Sequence, residues 1–236
     1  MSYLLETGLI LFIYMNLWFV ISVIGKRNDV ADVAWGPGFV LLAWCSFMIA
    51  GTWSPRALLA DSMVTIWGVR LAWHIFSRNR SKGEDFRYME WRRAWGRWFY
   101  LRSYFQVFIL QGVLLFIILI PVLFINKNSS ETLTWFDFAG FFVWITGFVF
   151  ETVADRQLAV FKLKPGNKGK ILQSGLWHYS RHPNYFGEVV QWWGVFVLAL
   201  SLPGGWMTVA GPLVITLVIL FVSGVPLLEK KYAGRP

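Results

Sequence analysis

Residues 105–125 read Phe105-Gln-Val-Phe-Ile-Leu-Gln-Gly-Val-Leu-Leu-Phe-Ile-Ile-Leu-Ile-Pro121-Val-Leu-Phe-Ile125, with no charged side chain in the run. A helix of roughly 20 mostly apolar residues crosses about 30 Å of hydrocarbon. A surface helix of a soluble domain keeps a polar face opposite its apolar stripe, and this stretch has none. Pro121 predicts a bend or an end to the helix, because it lacks an N–H and crowds the preceding turn. Six further apolar runs lie around it, over about Leu5–Ile24, Val33–Ala50, Leu58–Phe76, Phe136–Thr152, Phe186–Leu200 and Met207–Leu228. The run over 58–76 is weaker, since it holds Asp61, Arg70 and His74. The expectation is an all-α membrane protein with seven transmembrane helices. Composition agrees: 56% of residues are hydrophobic and 15% charged, against about 25% charged in soluble domains. The 15 Trp residues read mainly as packing and interface anchors.

The charge distribution orients those helices. Of 22 Lys and Arg, 19 lie between Gly25 and the second run, in Ser77–Tyr104, in Ala154–Tyr185 or in the C-terminal tail. Arg56 and Lys127 lie on the other side, and Arg70 within a run. Lys and Arg collect in cytoplasmic loops, so the N-terminus is expected outside and the C-terminus in the cytoplasm, with the active site facing the cytoplasm. The net charge of +9 is therefore read as a membrane signature, and no nucleic acid is expected as partner. The lone Cys45 excludes an internal disulfide. No basic segment precedes the first run and no small-residue cleavage site follows it, so it reads as a retained helix. The whole chain, 1–236, is expected to form a single transmembrane domain, with a cofactor-binding half over about 78–188 plus the tail. A monomer without metal is expected.

Three stretches carry residues suited to chemistry. Gly175-Leu-Trp-His-Tyr179-Ser-Arg181-His182-Pro183-Asn184-Tyr185-Phe-Gly187-Glu188 stands at the cytoplasmic entry to the sixth helix. Arg181 and His182 present cations or donors to a phosphate, and Pro183 suits a first helical turn. Gly187 permits close approach of a ligand or another helix. Glu188 is a carboxylate inside an apolar region, which marks a site by default. The bland alternative is a basic loop and a helix start. The stretch from Arg78 to Arg93 includes Arg80, Glu84, Asp85, Arg87 and Tyr88; its arginines suit a phosphate clamp or anionic lipid head groups. Asp32 stands at the start of the second helix, where a helix N-cap accounts for it equally well. Arg70 and His74, four apart, share a face of the third helix.

The string Ser180-Arg-His-Pro-Asn-Tyr-Phe-Gly-Glu188 resembles the C-terminal signature of the steroid 5α-reductases and their bacterial membrane relatives. That superfamily also holds sterol reductases and isoprenylcysteine carboxyl methyltransferases. Asp155-Arg-Gln-Leu158 with Lys162 resembles the reductases' NADPH-contacting segment, and Lys170 stands where they carry Arg. Glu84-Asp85-x-Arg87-Tyr88 resembles a motif of the bacterial relatives. The resemblance implies a seven-helix NADPH-dependent reductase of a conjugated enone, such as a 3-oxo-Δ4 steroid or a related lipid, in a bacterial inner membrane. It does not imply a Rossmann domain, and no Gly-x-Gly-x-x-Gly is present. The cofactor contacts implied are Arg80, Asp85, Arg87, Tyr88, Asp155, Lys162, Lys170, Tyr179, Arg181, His182, Asn184, Tyr185 and Glu188. Asp32 takes the place of an acidic residue that holds the substrate carbonyl. The family's proton-donor Tyr has no counterpart in Val69–His74, which leaves His74 or Tyr88 for that role. Two other readings stay open: an S-adenosylmethionine-dependent methyltransferase of a lipid or prenylcysteine, and a non-catalytic lipid binder.

Overall fold

The computed structural model describes residues 2–80, 83–128, 130, 132–167, 169–222, 224–225 and 229. Lys82, Lys168, residues 226–228 at the end of the expected seventh run, and Lys230, Lys231 and Arg235 of the tail lie outside the described residues. Within the described residues every regular element is helical and no strand occurs. The chain divides into two compact units, Met1–Thr132 and Leu133–Pro236.

In the first unit, α1 (Tyr3–Gly25) rises about 35 Å and ends where Lys26 turns into the left-handed region, at φ 51°. Helix α2 (Val30–Ala50) follows after a four-residue turn. Pro37 lies inside it, and Gly36 sits on Gly68 of α3 (Pro55–Asn79) so closely that a Cβ on Gly36 would strike the Gly68 carbonyl. Ser54 caps α3 by accepting from the Ala57 N–H at 3.1 Å, and Pro55 occupies the first turn, where no N–H is missed. Helices α4 (Phe86–Trp95), α5 (Phe99–Ser103) and α6 (Leu110–Ile118), joined by a 3₁₀ turn and a π-helical turn, make one helical run from Phe86 to Ile118. The run breaks at Leu119, before α7 (Ile120–Asn128). That break lies where Pro121 predicts it, since Pro121 cannot donate to the Ile117 carbonyl. The buried Asn126 amide on α7 donates to Ser46 Oγ at 2.8 Å, the Ala43 carbonyl at 3.1 Å and Asp61 Oδ1 at 3.2 Å, tying α7 to α2 and α3. Arg56, expected beside an outer loop, is fully buried and donates to the Thr132 carbonyl at 2.7 Å.

In the second unit, α8 (Trp135–Leu163) begins with a capping box between Thr134 and Asp137 and rises about 43 Å. A short α9 (Leu176–Tyr179) leads to α10 (Pro183–Ala199), with Pro183 at its first turn as expected. Helices α8 and α10 pack through Gly140 and Gly147 on one side and Gly187 and Gly194 on the other. A Cβ on Gly187 would lie 2.5 Å from the Glu151 nitrogen and 2.6 Å from the Gly147 oxygen. Gly187 thus serves helix contact, where the sequence left ligand and helix open. After a turn at Ser201–Gly204, a helical run from Gly205 to Val222 includes α11 (Ala210–Leu217).

Two stretches read as loops are partly helix. Ser77–Tyr104 holds the end of α3 and all of α4 and α5, and Ala154–Tyr185 begins with ten residues of α8. The helical parts carry good helix formers, Arg, Glu and Met in the first and Ala, Arg, Gln, Leu and Lys in the second. Their polarity marks emergence from the apolar layer and not loss of helix. Five helical runs are long and apolar enough to cross a membrane: Tyr3–Gly25, Val30–Ala50, Phe86–Ile118, Trp135–Leu163 and Gly205–Val222. Helix α3 is long enough but carries Arg56, Asp61, Arg70, His74 and Arg78, and α10 has 17 residues. On α1, Leu9, Phe12, Ile13, Leu17, Val20 and Ile24 are exposed. An apolar surface of that extent suits lipid.

Candidate functional site

The first polar cluster forms where α4 starts against the α1–α2 turn. Asp85 precedes α4 and caps it, accepting from the Arg87 N–H at 3.0 Å. That cap aims the first turn, so Arg87 and Tyr88 both reach Asp32. Arg87 Nη2 donates to Asp32 Oδ2 at 2.6 Å, and the Tyr88 hydroxyl donates to Asp32 Oδ1 at 2.7 Å. Arg87 Nε also donates to Asp85 Oδ1 at 3.0 Å, so this guanidinium lies between two carboxylates. Burial pushes the Asp85 carboxyl up, but the hydrogen bond and charge of Arg87 outweigh it and hold the group below the usual carboxylate range. Tyr88 is only 2% exposed and packs edge-on against Trp91. The cap of α2 is Asp29, so Asp32, in the first turn, is free of that duty and its carboxylate is committed to α4.

Next to it, Arg27 grips Asp29 through two hydrogen bonds of 2.8 and 3.0 Å. Those bonds push the Arg27 guanidinium further up. Glu84 accepts from the Asn28 N–H at 2.7 Å and from Arg92 at 3.0 and 3.2 Å. Asn28 in turn donates to Ser103 Oγ and accepts from Ser22 Oγ, both at 2.7 Å. Glu84, Arg87 and Tyr88 of the Glu84-Asp85-x-Arg87-Tyr88 stretch are therefore bound directly to the Lys26–Asp32 segment, and Asp85 holds Arg87 in place. Arg80 is exposed and, with Arg27, Asp29, Val33, Phe76 and Asn79, lines a cleft of about 170 Å³. His74 is half-buried on α3.

The second cluster lies between α8 and α10. Asn184 Nδ2 donates to Asp155 Oδ1 at 3.2 Å, and Gln191 Nε2 donates to Glu151 Oε2 at 2.6 Å. Glu151, Asp155 and Gln191 are all buried. Arg181 and His182 both donate to Glu229, at 2.7 and 3.0 Å, and the His182 ring stacks on Tyr185. Lys162, Lys170 and Tyr179 are exposed, while Tyr185 and Glu188 are half-buried.

Thus Asp32, Asp85, Arg87 and Tyr88 come together in the first unit, as do Asp155 with Asn184, and His182 with Tyr185, in the second. Sequence reasoning missed Arg27, Asp29, Arg92, Glu151 and Gln191. Glu151 carried the signal that singled out Glu188, an acid inside an apolar segment; Arg27, Asp29 and Arg92 look like surface charge until their partners are placed.

Over 66 residues the chain is 41% identical to the mouse 3-oxo-5-alpha-steroid 4-dehydrogenase 1, covering 28% of this chain and 26% of that protein. It is 38% identical over 81 residues to the steroid 5-alpha-reductase DET2 of Gossypium hirsutum, covering 34% of this chain and 31% of that protein. An uncharacterized Schizosaccharomyces pombe protein is 26% identical over 214 residues, covering 78% of this chain and 61% of that protein. The chain thus spans about a quarter to three-fifths of the length of these relatives. No solved structure matches it significantly. The family described as "Protein of unknown function (DUF1295)" matches residues 18–236. The chain therefore belongs to DUF1295, the steroid 5-alpha-reductase family.

Proposed function

We propose that this protein is a membrane-embedded, NADPH-dependent reductase of a carbon–carbon double bond conjugated to a ketone, acting on a 3-oxo-Δ4 steroid or a lipid of similar shape. The observation that carries the proposal is the Tyr88 hydroxyl on Asp32, 2.7 Å apart and shielded from water, with Arg87 on the second carboxylate oxygen. Arg87 fixes Asp32, and Asp32 fixes the phenol. When substrate enters, the single phenol O–H can turn from Asp32 to a ketone oxygen and stabilise the negative charge that grows there, as preorganised donors do in water-poor sites. Tyr88 is preferred to His74 as the acid on that ground. The α-carbon takes up a proton once the β-carbon has been reduced.

The donor set suits NADPH. Its phosphates need cations, and Arg80, Lys162, Lys170 and Arg181 are exposed ones. Bound NADPH supplies the hydride. Asp155 and Asn184, joined across α8 and α10, are proposed to position it, together with Tyr179, His182, Tyr185 and Glu188. Seven spans are proposed by adding α3 and α10 to the five apolar runs. The outer N-terminus, the cytoplasmic C-terminus and active site, a bacterial inner membrane, a monomer, and a single domain with its cofactor half over about 78–188 complete the proposal.

The test is reduction of a 4-ene-3-one steroid by the protein in vesicles. NADPH consumption matched by a product two hydrogens heavier is expected, with loss of turnover in Asp32→Asn and in Asn184→Ala. Binding of S-adenosylmethionine with no NADPH binding, or full turnover in both variants, overturns the assignment.

A further inference from the structure

A cleft of about 390 Å³ lies beside the last turns of α8 and is lined by Val153, Arg156, Val160, Phe161, Lys164 and Leu172, with Gln157, Asn167, Ser174 and Gly175 closing it. Its lining has two cations and no acid. It lies away from the proposed cofactor residues of α8: Arg156, Val160 and Lys164 recur every fourth residue and share a face, while Val160 is about 140° around the helix from Asp155. The cleft is built by the fold. Asn167 Nδ2 donates to the Phe161 carbonyl at 2.9 Å, and the Gln157 side chain accepts from the Leu176 N–H at 3.0 Å, fastening the returning chain to α8. Gly175 has φ 64° and rests on Gln157, where a Cβ would collide.

Depth identifies the occupant. The stretch from Trp135 to Val153 rises about 28 Å, close to the thickness of the hydrocarbon layer, and head groups occupy a further 5–7 Å or so on each side. Arg156 is the first cation of α8 and stands one turn beyond that layer. Val153 offers apolar contact at the border, where glycerol and the first methylenes of a lipid lie; Val160 and Lys164 stand about 10 and 16 Å further along α8, so the Lys164 side chain has to reach back toward a phosphate held at Arg156. We propose that this cleft binds the phosphodiester of an anionic phospholipid, held by Arg156 and Lys164, as basic pockets at membrane boundaries do. The site is separate from the reductase reading and stands whether or not that reading holds.

The experiment is native mass spectrometry of the full chain released from vesicles containing phosphatidylglycerol and phosphatidylcholine in equal amounts. One or more phosphatidylglycerol molecules should be retained in preference to phosphatidylcholine. A Lys or Arg near an anionic surface contributes about fivefold, so Arg156→Gln/Lys164→Gln should retain about 25-fold less. The control Arg78→Gln/Arg93→Gln, with the same change in charge, should match the wild type. Equal retention of the two lipids by the wild type overturns the proposal without any variant. So does retention by the Arg156/Lys164 variant, or displacement of the lipid by inorganic phosphate or by NADPH, which would assign the cleft to a soluble phosphate.

Discussion

Replacing Tyr88 by Phe removes one oxygen and leaves the rest of the ring. The ring's edge contact with Trp91, at 5.4 Å between centroids, and its place beside the Arg87 guanidinium are kept. What is lost is the 2.7 Å hydrogen bond to Asp32. A hydrogen bond to a charged acceptor contributes about 1.5–3 kcal/mol, and Asp32 keeps its bond to Arg87, so a loss of about 2 kcal/mol is expected. For a chain of this size that lowers Tm by roughly 4–8 °C, measurable by tryptophan fluorescence during a thermal ramp in detergent. If Tyr88 is also the acid, turnover of an enone should fall by about 100-fold or more, the usual share of a positioned proton donor. The two readouts separate the claims. A lower Tm with unchanged turnover keeps the geometry and removes Tyr88 from the chemistry. An unchanged Tm refutes the bond itself, and with it the reasoning that Asp32 fixes the phenol.

The depressed Asp85 carboxyl makes stability depend on pH. Folding favours its ionised form, so its contribution is complete above the unfolded value of about 3.9 and is lost as pH falls through the lower folded value. Asp85→Asn can still cap α4, so the Tm difference between the variant and the wild type should be constant near neutral pH and shrink only below about pH 4. Gly187→Ala puts a Cβ 2.5 Å from the Glu151 nitrogen; overpacking of this kind costs about 1–3 kcal/mol or more, and gel filtration should show loss of the folded peak or a clear drop in Tm. Glu229→Gln should change Tm by little, because the Arg181 side chain it holds is 71% exposed and surface pairs contribute about 0–1 kcal/mol.

Helix class and rough limits were legible in the chain, because uninterrupted apolar runs and the proline positions at 121 and 183 act within a few residues of themselves. Pro183 opens α10 and Pro121 follows a break for the same local reason: a missing N–H is harmless at a helix start and disruptive inside one. Family motifs pointed to Asp32, Arg87, Tyr88 and Asn184 without saying what they touch. Tertiary structure decided that Arg87 lies between Asp32 and Asp85, that Gly187 serves helix packing, and that Glu151 and Gln191 form a buried pair. It also decided that the basic stretch after α3 is largely helix. These partners are 40 to 56 residues apart. A charge or a glycine gains its meaning only from the group set against it, and for groups so distant in sequence the folded chain alone makes that choice.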